Sequence, residues 1–193
     1  MKSICVYCGA SAGFSASYAA GARNLAASLA EQQISLVYGG GNVGLMGIIA
    51  DEMLRLGAHV TGVIPQALVE KEVSHTGLSQ LHIVRNMHER KALMAELSDG
   101  FIAMPGGIGT LEELFEMFTW SQLGFHQKPL GLLNIDGFYD GLIMFLRHTV
   151  NKGFLRPEHM ELLLTESNPS LLMRSLKDFH SPTINKWLQK NDL

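Results

Sequence analysis

Short apolar runs alternate along the chain with longer segments whose apolar positions recur every three to four residues. Runs at residues 3–8, 35–38, 59–63, 81–84, 101–104, 129–133 and 162–165 read as strands, each bounded by turn-forming residues. Segments at 17–33, 45–56, 87–98, 111–123, 139–152 and 169–180 read as helices. The clearest carries Leu111, Leu114, Phe115 and Phe118 at i, i+3, i+4 and i+7, one helical face. Asn86 and Asn168 are predicted N-caps, since a short polar side chain there can accept from the first free amides. Residues 65–80 are irregular and polar and read as a loop.

Buried strands alternating with helices predict an α/β fold, a Rossmann-like, doubly wound parallel sheet with helices on both faces. The expected layout is a single domain over residues 1–180 with a tail at 181–193. In such a sheet ligands bind at the carboxyl ends of the strands. Three strand ends run into small-residue turns, at Gly9, Gly39 and Gly106. All three are therefore expected on one rim.

The turn P-G-G-I-G-T-L-E-E, residues 105–113, stands between a strand and a helix. Free amides and the helix dipole make such a turn an anion site, most often for phosphate. Glu113 then puts a carboxylate beside that anion, where it gains nothing electrostatically and so points to chemistry. Thr110 and Glu113 also have the spacing of a capping box, which implies no catalysis. Upstream, Arg90 and Lys91 open a helix at the end where cations oppose the dipole. They answer either to an anion or to solvent and Glu89.

The other turns are less specific. Gly39, Gly41 and Gly44 fit G-x-G-x-x-G, but no acid ends the next strand to hold an adenosine ribose, so a dinucleotide is not expected. The turn reads as a place where a ribose phosphate approaches the backbone, with Gly40 and Gly41 as contacts. Gly9 and Ser11 are candidates for the same ligand, although Ser11 or Ser15 can equally cap the following helix. Cys5 and Cys8 lie in one strand, three apart, and so point to opposite faces as core thiols. His75 has no partner spacing and reads as a surface histidine.

Net charge −3 argues against a general nucleic-acid binder. No apolar run approaches the roughly 18 residues of a membrane span, and the start of the chain is too short in apolar residues for a signal peptide. A cytoplasmic protein without metal or cofactor is the expectation.

N-M-H-E-R-K at 86–91 followed by P-G-G-I-G-T-L-E-E at 105–113 resembles the Lonely Guy family, once labelled lysine decarboxylase-like. Y-G-G-G-N-V-G-L-M-G at 38–47 and T-W-S-Q-L-G at 119–124 look like the same family. The old label fits poorly, because no lysine is marked as a Schiff-base partner for pyridoxal. The resemblance implies hydrolysis of the N-glycosidic bond of adenine-type nucleoside 5′-monophosphates, giving free base and ribose 5-phosphate, in a homodimer. It implies Arg90 and Glu113 as catalytic residues. It implies nucleotide contacts from Met87, Arg90, Lys91, Gly106, Gly107, Ile108, Gly109, Thr110, Leu111, Glu112, Glu113 and Thr119. Plant members carry a binding Glu where this chain has Ala67, and Glu72 is the candidate to replace it. The alternative is a nucleotide or molybdenum-cofactor carrier of similar fold, without turnover.

Overall fold

The computed structural model describes residues 1–69 and 74–181. Seven strands form one sheet: β1 (Ser3–Tyr7), β2 (Ser35–Tyr38), β3 (Val60–Pro65), β4 (Gln80–Val84), β5 (Phe101–Ala103), β6 (Leu130–Leu133) and β7 (Leu163–Glu166). Their order is β4-β3-β2-β1-β5-β6-β7, and every pairing is parallel. The chain thus winds outward from β1 to β4, returns to β5 beside β1, and winds outward again. The reversal between β1 and β5 is the switch point at which such sheets open a crevice.

The helices are α1 (Ala16–Glu31), α2 (Gly44–Arg55), α3 (Gln66–Val69), α4 (Met87–Glu96), α5 (Ile108–Leu123), α6 (Asp140–Asn151), α7 (Pro157–Met160) and α8 (Pro169–Asp178). Alternation along β1 divides its side chains between two cores. Ile4, Val6 and Cys8 pack under α1, α2 and α8, whereas Cys5 and Tyr7 face α4, α5 and α6. The two thiols are therefore free and buried on opposite faces, as expected. Burial pushes the Cys5 thiol up to about 12, so it stays protonated and inert.

The N-caps fall where the sequence places them. Asn86 accepts from the Glu89 amide at 2.9 Å, and Asn168 accepts from Ser170 and Leu171. Ser15 caps α1, whereas Ser11 accepts from Gly13 within the turn after β1. Two details differ from the expectation. β3 runs on through Ile64 and Pro65, and α3 follows it at once where the sequence reads as a loop. Glu72 lies outside the described residues, as does most of the tail.

Candidate active site

α5 begins at Ile108, with Gly107 as its N-cap and no side-chain cap bond. Thr110 is thus inside the first turn, and the capping-box reading of Thr110 and Glu113 is overturned. The first helical amides have no intrahelical acceptor, so the turn offers N–H groups and the positive end of the dipole to an anion. Gly106 is needed for close packing: a Cβ there would lie 2.1 Å from Thr110 Oγ1 and 2.8 Å from Gly9 N. Gly107 and Gly109 have nothing within 4 Å of theirs and face open space.

Three turns converge on this rim. The Gly9 amide donates to Pro105 O at 3.0 Å, and the Leu45 amide donates to Gly9 O at 3.0 Å. Gly44 adopts φ +57°, and its missing side chain admits the Ala10 backbone, whose carbonyl carbon would lie 2.3 Å from a Cβ. The glycines after β2 therefore serve close approach, but of the protein's own groups. Gly40 accepts from the His75 amide at 2.9 Å and Gly41 bridges to Ser74, and neither is among the residues lining the cavity described next.

Arg90 and Glu113, remote in sequence, meet across α4 and α5. Arg90 Nη1 donates to Glu113 Oε1 at 2.5 Å, and Nε donates to Val63 O at 3.1 Å. Both side chains are buried. Lys91 donates to Glu112 at 2.5 Å and lies 3.1 Å from Glu116. The two cations of α4 are thus met by carboxylates of α5, and Glu89 pairs with Arg85. The solvent reading of Arg90 and Lys91 is overturned by their burial. Burial pushes the Glu113 carboxyl above its ordinary value, and the Arg90 charge opposes that shift. The Lys91 ammonium is pulled down by burial, but Glu112 and Glu116 outweigh this and hold it above its ordinary value.

A cavity of about 280 Å³ lies over the pair, lined by Cys8, Gly9, Ala10, Met46, Met87, Arg90, Gly107, Gly109, Thr110, Glu112 and Glu113. A second, of about 470 Å³, shares Gly9, Ala10 and Gly107 and adds Ser11, Tyr18, Gly106 and Phe138. A larger groove between α6, α7 and β7 shares no residue with either. Not every candidate is brought in. Lys91 is engaged by its carboxylates, Leu111 packs against the core, and Ile108 is 81% exposed. Thr119 lies outward, six residues beyond Glu113, with its hydroxyl on Phe115 O. His75 is buried, not on the surface: it bonds Asp51 at 2.9 Å and accepts from Gly77 at 3.0 Å. No periodicity marks that pair, because it joins a helix to a loop.

Fold and cavity define a Rossmann-like protein with an anion-ready rim beside a buried arginine–glutamate pair. A family described as "Possible lysine decarboxylase" matches residues 46–176. Cytokinin riboside 5'-monophosphate phosphoribohydrolase LOG7 of Arabidopsis thaliana is 46% identical over 92% of this chain and 82% of its own length. The rice enzyme of the same description (Oryza sativa subsp. japonica) is 46% identical over 92% and 74%. Among solved structures, a molybdenum cofactor binding protein from Rippkaea orientalis matches with TM-score 0.69 at 20% identity, over 92% of this chain and 96% of that one. That likeness shows the fold alone. The chain belongs to the Lonely Guy family of phosphoribohydrolases.

Proposed function

We propose that the chain hydrolyses the N-glycosidic bond of adenine-type nucleoside 5′-monophosphates, releasing the base and ribose 5-phosphate. The observation that carries this reading is the buried Arg90–Glu113 pair beneath a cavity that opens on the α5 N-terminus. Amides of residues 106–110 hold the 5′-phosphate, which orients the sugar over Glu113. As the C1′–N9 bond breaks, its electron pair leaves with the base and positive charge builds on the sugar. The Glu113 carboxylate stabilises that charge and takes a proton from the water whose oxygen bonds C1′, and that proton then passes to the departing base, which leaves neutral. Arg90 keeps the buried carboxylate ionised and fixes its direction. The phosphate anchor and the acid lie at one helix end, which suits a phosphorylated sugar.

The unit at work is a homodimer in the cytoplasm, a reading supported by exposed Met87 and Ile108 beside the cavity and by the two free thiols. Among the described residues no helix is long and apolar enough to cross a membrane. The test is incubation with AMP and with isopentenyladenosine monophosphate, followed by chromatography for free base. Base release supports the reading. Tight binding with no base over hours identifies a carrier instead.

A further inference from the structure

Gly39 follows β2 directly and lies against Arg90. A Cβ on Gly39 would stand 2.1 Å from Arg90 Nη2 and 3.3 Å from Cζ, far inside contact distance. Its backbone is not the reason for glycine, because Gly39 is absent from the residues with positive φ. Arg90 cannot simply swing aside. Its Nε is tied to Val63 O at 3.1 Å, its Nη1 is tied to Glu113, and the residue is buried. The third of the nearest atoms is Met46 Sδ at 3.3 Å, on a flexible side chain that can yield.

We infer that Gly39 is a positioning residue for the hydrolysis: by lacking a side chain it leaves the space in which the Arg90 guanidinium reaches Glu113. The inference rests on the proposed role of that pair. A methyl group at position 39 displaces the guanidinium, and a misplacement of about 1 Å at such a pair costs about 10²-fold in rate. KM for the nucleotide is measured beside kcat, because the displaced Arg90 itself lines the cavity. The charged and titratable groups facing Glu113 are Arg90 and Lys91 of α4, Glu112 of its own helix, and Cys5, Tyr7 and Cys8 from β1 and its end. With Arg90 displaced, the acid limb of the kcat profile moves to higher pH.

The experiment compares Gly39→Ala, Arg90→Lys, the double variant and Glu113→Gln, each by kcat, KM, pH profile and melting temperature. Lysine keeps the charge but has no second η nitrogen to collide. The expected result is a loss of kcat and a displaced pH limb for Gly39→Ala, with no further loss when it is added to Arg90→Lys. If Gly39→Ala does not fold, recovery of folding in the double variant makes the same point. Wild-type turnover and pH profile in Gly39→Ala overturn the inference, as does an equal added loss in the Arg90→Lys background. Glu113→Gln separates the two failures: if it turns over normally, the proposed chemistry falls and this inference with it. If it is inactive while Gly39→Ala is normal, only the inference falls.

Discussion

Arg90 Nη1 stands 2.5 Å from Glu113 Oε1, and the two side chains reach each other from separate helices on one side of the sheet. The pair fixes a pH dependence. Burial holds the Glu113 carboxyl above the ordinary glutamate value against the opposing Arg90 charge, and a base must be ionised to act. Activity should therefore fall as pH drops through a value above that of an ordinary glutamate. Stability runs the opposite way, because a raised carboxyl favours folding below its unfolded value and loses that contribution as pH rises through the folded one. Arg90→Gln removes the opposing charge, so the acid limb of kcat/KM is expected to shift further up.

Glu113→Gln keeps the shape and can still accept from Arg90, but it cannot take a proton or carry charge. Release of base from AMP should fall about 10²-fold or more. Circular dichroism and the melting curve should stay close to the parent, which separates chemistry from packing.

The glycines of the anion turn should separate by role. Gly106→Ala forces a Cβ to 2.1 Å from Thr110 Oγ1 and 2.8 Å from Gly9 N, so both stability and activity are expected to drop. Gly109→Ala meets nothing within 4 Å and lies in α5. Alanine there should hold or raise stability by up to about 1 kcal/mol. If the nucleotide phosphate occupies that space, KM should rise all the same. Melting temperature and KM measured on both variants check the contrast.

His75 pins residues 74–79 to the second turn. Its Nδ1 accepts from the Gly77 amide, so the ring proton sits on Nε2 and is donated to Asp51. His75→Ala leaves the Gly77 amide without this partner and should cost about 1–2 kcal/mol in urea unfolding. Asp51→Asn keeps an acceptor and should cost less. Faster amide exchange at Gly77 in the alanine variant would locate the effect.

Much of this was legible from sequence because its physics is local. Buried strands show as apolar runs, and Asn86 and Asn168 announce their helices by type. The rim of glycine turns follows once a parallel sheet is accepted, since every strand end points the same way. What stayed hidden depends on distance in sequence. Thr110 and Glu113 have capping-box spacing, but α5 starts three residues after Pro105, which puts Thr110 inside the helix and turns Glu113 toward Arg90. The glycines after β2 look like room for a ligand, yet Arg90 and Ala10 occupy that room. Spacing alone does not say which neighbour fills a missing side chain.

The bond from the Gly9 amide to Pro105 O ties the end of β1 to the end of β5, with three strands and their helices between them in the chain. The first half of the polypeptide supplies β1 to β4 but no catalytic crevice. Only when β5 docks does the rim close and α5 bring its acid into place. The site is therefore shared between the two halves, and a piece holding only β1 to β4 is expected to release no base.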